Sequence, residues 1–175
     1  MPRSEPGWMG SSRLFQPGST YFASPPGMAF RGYYDNTLDA KNRLTIPAKL
    51  RKALADGVVV ALQRDAPGCV AIWCPDDYEA YVAGLLDGID RLSTDYGNIE
   101  RFSNAWSQEL ELDAAGRVMV PAKMLAQAGL GRDVAVIGAG NRLEIWDREA
   151  WARMSEQIVS HVQQIGPGSA SGHTS

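Results

Sequence analysis

The sequence predicts an α+β fold, mainly β with flanking helices, in which two tandem copies of one small unit interleave as a pseudo-dimer. Three observations lead there: an internal repeat, turn chemistry at matching places in both copies, and a Pro-to-Gly span in each that suits one short helix. The repeat aligns Leu38-Asp39-Ala40-Lys41-Asn42-Arg43-Leu44-Thr45-Ile46-Pro47-Ala48-Lys49-Leu50 without a gap on Leu112-Asp113-Ala114-Ala115-Gly116-Arg117-Val118-Met119-Val120-Pro121-Ala122-Lys123-Met124, at a constant offset of 74. Further on, Val70-Ala71-Ile72-Trp73 with Tyr78 matches Leu143-Glu144-Ile145-Trp146 with Trp151 at an offset of 73. One residue has been lost between the two blocks.

Each copy then reads in order. Residues 33–38 and 106–112 suit short strands, with Trp106, Leu110 and Leu112 alternating against Glu109 and Glu111. Asp39 to Asn42 and Asp113 to Gly116 are tight turns, because Asp bonds nearby backbone and Asn or Gly tolerates positive φ. Short strands follow at 43–46 and 117–120, then helices over about 47–55 and 121–128 that begin at Pro47 and Pro121 and end at Gly57 and Gly129. Strands at about 58–63, 69–74, 133–138 and 142–147 complete two β-β-α-β-β units.

A unit of this size leaves its sheet edges uncovered, and bare edges are templates for pairing. Interleaving the two copies within the chain removes the problem. The expected organisation is an N-terminal extension at 1–27, the first repeat at 28–75, a helical connector at 76–104, the second repeat at 105–148, a C-terminal helix at 149–165 and a tail at 166–175. Pro75-Asp76-Asp77 opens the connector, with Tyr78, Tyr81, Val82, Leu85 and Leu86 on one helix face; Ile89 to Asn104 reads as a second helix or two turns. The connector helix and the matching C-terminal helix, which begins at Trp146-Asp147, are both expected to cover the β core and, compatibly, to mediate subunit contacts. The Gly-, Pro- and Ser-rich termini are expected to be flexible.

Composition narrows the function. Of 175 residues, 45% are hydrophobic and 21% charged, which suits a folded core. No apolar run reaches the length of a membrane span and residues 1–27 hold no signal-like core, so a cytoplasmic location is expected. Cys69 and Cys74 fall in one strand-like stretch, too far apart to bridge, and read as reduced thiols. His161 and His173, the only histidines, stand at the end of the last helix and in the tail, leaving no rigid base for a catalytic triad. Catalytic residues, metal sites, cofactors and a small-molecule substrate are therefore not expected. Gly138-Ala139-Gly140-Asn141 joins two strands and reads as a hairpin turn, Trp73, Trp146 and Trp151 as core packing, and Asp76-Asp77 as helix capping.

The net charge of −3 argues mildly against nucleic acid as a partner, but phosphate binding depends on local potential. Arg31, Lys41, Arg43, Lys49, Arg51 and Lys52 meet only Asp35 and Asp39, whereas the connector carries seven carboxylates against two arginines between Asp76 and Arg101. Arg43 and Arg117 each follow an Asp by four residues, so an Asp–Arg pair holding the hairpin competes with DNA contact. Beside Lys41 and Asn42, Arg43 is expected to contact DNA through its planar donor fork, and Lys41 to meet phosphate; for Arg117 the hairpin pair is favoured. Arg31, Lys41, Asn42, Arg43 and Arg117 form the candidate DNA-binding set. An oligomeric scaffold for protein or RNA is the competing expectation.

Taken together, Met28-Ala29-Phe30-Arg31-Gly32, Leu38-Asp39-x-x-x-Arg43-Leu44-x-Ile46-Pro47, Asp113-x-x-x-Arg117-Val118-x-Val120-Pro121 and Ile137-Gly138-x-Gly140-Asn141-x-x-Glu144-Ile145-Trp146 resemble the MraZ family over about residues 28–155. Each half is similar to the AbrB/SpoVT-type swapped-hairpin DNA-binding domain, which implies a pseudo-dimeric β-barrel. The resemblance implies a nucleoid-associated transcription factor that forms homo-oligomeric rings on direct repeats of double-stranded promoter DNA. The implied targets are division and cell-wall genes, beginning with its own. It also suggests Met28 as the natural start and Arg43 as the leading contact. Asn42 departs from the family's usual Gly; as the next best residue for a left-handed turn it should preserve the hairpin and offer its side chain to DNA.

Overall fold

The structure, a computed structural model, describes residues 30–165, and the expectations for 1–27, for Met28 and for 166–175 fall outside the described residues. In the first copy β1 (Tyr33–Thr37) leads through the Asp39 turn into β2 (Arg43–Thr45). Pro47 then takes an extended conformation (φ −52°, ψ 132°) at the N-cap, one residue before the helix that was expected to include it. That helix, α1 (Ala48–Arg51), tightens at once into a 3₁₀ turn, Lys52–Leu54, before β3 (Val58–Leu62) and β4 (Cys69–Trp73). Gly57 does not cap it; the glycine lies three residues beyond, with φ 105° at the entry to β3.

The connector forms α2 (Pro75–Leu86) and α3 (Thr94–Ala105), the latter capped by the Ser93 hydroxyl, which accepts from the Tyr96 N–H. The second copy runs β5 (Ser107–Leu110), β6 (Arg117–Met119), α4 (Ala122–Ala128), β7 (Asp133–Gly138) and β8 (Arg142–Asp147), with α5 (Arg148–Gln164) after it. Here the expected glycine cap is present: Gly129 is left-handed at φ 65°, and its N–H donates to the Leu125 and Ala126 carbonyls.

The copies exchange their first strands. β1 of the first copy pairs with β7 of the second, β5 of the second pairs with β3 of the first, and β4 pairs with β8 where the copies meet. All six lie in one antiparallel sheet ordered β1-β7-β8-β4-β3-β5, while β2 and β6 form a separate two-stranded ribbon. These ladders give an open six-stranded sheet and a separate two-stranded ribbon. β2 and β6 pair over three residues, and Ile46 and Val120 each add one more bond across the ribbon before Pro47 and Pro121, which have no N–H to donate, end it. Asn36 Nδ2 ties the ribbon to the sheet edge through a 2.8 Å bond to the Thr45 carbonyl.

Pseudo-twofold symmetry follows from the register. Leu44 pairs with Val118 in the ribbon and Ala71 with Glu144 in the sheet, and each pair consists of repeat-equivalent residues, so the axis passes through both. Val59 opposes Trp73 and Ala135 opposes Trp146, which equates Val59 with Ala135 at an offset of 76. The single residue apparently lost between the repeats is thus a gain of two before β7 and a loss of three in the β7–β8 hairpin.

Sheet residues alternate between two covered faces. Val58, Val60, Val70, Ile72, Val134, Val136, Leu143 and Ile145 share one buried cluster with Leu44, Ile46, Val118 and Val120 of the ribbon. Val59, Ala61, Ala71 and Trp73 point the other way, where α2 covers them with Tyr78, Tyr81 and Val82. Double coverage explains why β3 and β4 are buried along their whole length. The core draws on both repeats, so neither owns one. The covering role expected of α2 is therefore present, and α5 repeats it by packing its start on β7 and β8, with Trp151 5.9 Å from Trp146. No helix among the described residues is long and apolar enough to cross a membrane.

Candidate nucleic-acid interface

The two hairpins that enter the ribbon are built from the same bonds. Asp39 Oδ1 accepts from the backbone N–H groups of Lys41 and Arg43, both at 2.9 Å, and its Oδ2 accepts from Arg43 Nε at 2.7 Å. Asp113 repeats this with Ala115 N at 2.9 Å, Arg117 N at 3.0 Å and Arg117 Nε at 2.8 Å. The turn closes because Asn42 (φ 58°) and Gly116 (φ 73°) both enter the left-handed region, so the tolerance expected of Asn42 is realised.

Ribbon pairing sets the hairpins side by side. The Val120 N–H donates to the Asn42 carbonyl and the Ile46 N–H to the Gly116 carbonyl, each at 2.9 Å. Each guanidinium then faces both carboxylates: Arg43 Nη1 lies 3.8 Å from Asp113 Oδ2, and Arg117 Nη1 lies 3.9 Å from Asp39 Oδ2. Those cross distances are too long for hydrogen bonds, so the close bonding runs through Nε and orients the Nη ends without consuming them. Backbone N–H donation from Arg43, assisted by its side chain, holds the Asp39 carboxyl at about 2; the same bonds from Arg117 lower Asp113.

Four of the five candidate residues converge here. Lys41 is exposed at the first hairpin tip, Asn42 is half-buried beneath it, and Arg43 and Arg117 flank the axis with side chains 30% and 32% exposed. Both arginines make the hairpin-holding pair, in near-identical settings. Arg31 is not brought in. Phe30 bonds Gly140 and Leu38 bonds Arg132 at opposite ends of the β1–β7 ladder, and eight extended residues span about 26 Å.

Other cations do arrive. Arg51 crosses from the first copy to lie directly against Gly116 of the second hairpin while its Nε donates to the Ile46 carbonyl at 2.8 Å. Exposed Arg132 reaches the first hairpin, its Nε donating to the Leu38 carbonyl at 3.2 Å. Arg51 was visible in the sequence only as part of the first repeat's positive balance; no local signal pointed to Arg132, whose place comes from strand exchange. The outward side of the ribbon adds Thr45 and Met119, both exposed.

The remaining candidates settle into packing. Burial pushes both thiols up, Cys69 strongly, and Cys74 Sγ donates to the Ala53 carbonyl at 3.3 Å. Trp73 stacks on Tyr81 at 4.8 Å, and Ala139 N donates to the Arg142 carbonyl to close the expected β7–β8 hairpin. Asp76 and Asp77 stand in the first turn of α2 rather than at its cap, which is Cys74. No cluster of three or more potential metal ligands occurs among the described residues.

Comparison with known proteins bears on this geometry. Residues 29–89 and 102–164 match the family model described as "MraZ protein, putative antitoxin-like". Among similar curated proteins, all named transcriptional regulator MraZ, that of Micrococcus luteus is 42% identical over 124 residues, covering 70% of this chain and 83% of the relative. The Paenarthrobacter aurescens protein is 40% identical with the same coverage, and the Heliobacterium modesticaldum protein 32% identical over 136 residues, 78% of this chain and 93% of the relative.

Proposed function

This chain belongs to the MraZ family, and from that premise we propose that it is a DNA-binding transcriptional regulator whose paired hairpins meet double-stranded DNA. One observation carries the reading: Arg43 and Arg117 are held through Nε by Asp39 and Asp113, side by side on an outward ribbon, with the Nη ends left for a ligand. Arginine's planar fork suits phosphate oxygens and guanine edges, and a two-stranded antiparallel ribbon fits the major groove. Lys41, Arg51 and Arg132 border the same surface and supply phosphate contacts; Asn42 can offer its amide beside them. Arg43 leads because Lys41 shares its tip, where Arg117 has Ala115.

The proposed targets are direct repeats in promoters of division and cell-wall genes, including the chain's own, bound in the cytoplasm at the nucleoid. Several copies would engage successive repeats as a homo-oligomeric ring. Support for assembly comes from the end of α5, where Ile158, Val159 and Val162, with Ile165 just beyond the helix, are 43–58% exposed.

A titration on duplex DNA from upstream of the chain's own gene, at several salt concentrations, tests the proposal. Specific affinity should fall with a log–log slope of about −0.9 per neutralised phosphate. A shallow slope without sequence preference would favour a protein- or RNA-binding scaffold.

A further inference from the structure

We propose that Met119 is a specificity-determining contact, offering apolar surface to the C5 methyl of a thymine beside the base addressed by Arg43. The inference rests on the DNA-binding reading above. Met119 ends β6, and strand alternation turns it outward: Val118 and Val120 on either side are fully buried, while Met119 is 48% exposed. It therefore contributes little to the core. Its surroundings on the ribbon and hairpins are polar or charged: Arg43, Arg117, Thr45 and Lys41, with the two aspartates behind the arginines.

Register pairs Met119 with Arg43 across the ribbon. Directly opposed residues lie about 4.5–5.5 Å apart, against a base-pair rise of about 3.4 Å, so the two side chains address the same or adjacent base pairs. In the major groove thymine alone presents a methyl group, and guanine presents the acceptor pair that fits an arginine fork. A long, flexible thioether beside a guanidinium can make both contacts together. The repeat-equivalent of Met119 is Thr45, opposite Arg117, so the two ends of an otherwise symmetric ribbon differ chemically. The apolar reader stands at the Arg43 end.

The test selects a preferred duplex from a randomised library with the wild-type protein, then replaces each thymine in turn by deoxyuridine, which lacks only the methyl. Wild type should lose about fourfold in affinity at one thymine next to a guanine, the worth of one buried methyl-sized group. Met119→Gln, similar in length but polar, should bind the parent duplex about fourfold more weakly and no longer distinguish thymine from deoxyuridine there. Met119→Leu should keep the distinction. Met119→Thr copies the residue that the fold already accepts at the equivalent place, and an unchanged melting temperature for it and for Met119→Gln separates recognition from folding. If Met119→Gln still discriminates at that position as wild type does, or wild type binds specifically yet discriminates nowhere, the inference about Met119 is overturned and DNA binding stands. If the library yields no preferred duplex, the DNA reading itself fails, and this inference with it.

Discussion

Arg51 and Gly116, 65 positions apart in the chain, are in direct contact: the guanidinium lies where a side chain at Gly116 would have to go. Two requirements therefore meet at Gly116, a left-handed backbone (φ 73°) and room for a neighbour's cation. At the equivalent Asn42 only the first applies.

Gly116→Ala should accordingly cost more than the roughly 1 kcal/mol of left-handed strain alone, about 2–3 kcal/mol once Arg51 is displaced. Asn42→Gly should change stability by less than about 0.5 kcal/mol. Thermal melts of both variants check the contrast, which equal losses would refute.

Asp39 and Asp113 make stability depend on acid. Asp39 is lowered from its ordinary 3.8 to about 2, and Asp113 in the same direction. A depressed carboxylate stabilises the fold above its unfolded value, and that contribution disappears as pH falls through the folded one. The melting temperature should therefore drop between about pH 4 and pH 2. Asp39→Asn and Asp113→Asn should each flatten that drop in a pH series.

Arg43→Ala and Arg117→Ala should lower the melting temperature alike and modestly, because each removes the same guanidinium-to-Asp hydrogen bond. Their DNA affinities should differ: Arg43→Ala should lose about 1–3 kcal/mol per base contact and relax sequence preference, with a smaller loss for Arg117→Ala. Melts and titrations under one salt condition check both statements, and wild-type affinity for Arg43→Ala would remove Arg43 from the interface.

Lys41 and Arg31, both exposed cations of the first repeat, should behave oppositely. Lys41→Ala should weaken binding evenly across sequences and reduce the salt slope by about one phosphate's worth. Arg31→Ala, at the far end of β1, should leave affinity and slope unchanged in the same titrations.

Shortening the apolar stripe of α5 should act on assembly alone. Ile158→Ser with Val162→Ser changes two exposed residues beyond the part of the helix that packs on β7 and β8, so the fold should melt as wild type does. Light scattering should show a smaller particle; an unchanged mass would place the subunit contact elsewhere.

Much of this was legible in the chain. The duplication, the two Asp-anchored turns, the left-handed tolerance of Asn42 and the grouping of Lys41, Arg43 and Arg117 in equivalent hairpins all depend on residues within a few positions of one another. Helix ends were less legible. Gly129 is a cap and Gly57 is not, because three residues of turn separate Leu54 from β3 in the first copy. The net loss of one residue concealed two opposed changes, since an offset reports only their sum.

What the sequence alone determined was local: turns closed by aspartate side chains, strand alternation that buries Leu44 and Val118 while exposing Thr45 and Met119, and prolines that bound short ribbon strands. What only the tertiary structure decided was which strand meets which. Strand exchange joins β1 to β7 and β5 to β3, sends Arg31 to the far end of the sheet, and carries Arg132 and Arg51 to the hairpins. The reason is physical: a residue's neighbours in sequence set its backbone and its facing, but partners in a ladder are chosen by the burial of whole faces, and that choice is made between segments about a hundred residues apart.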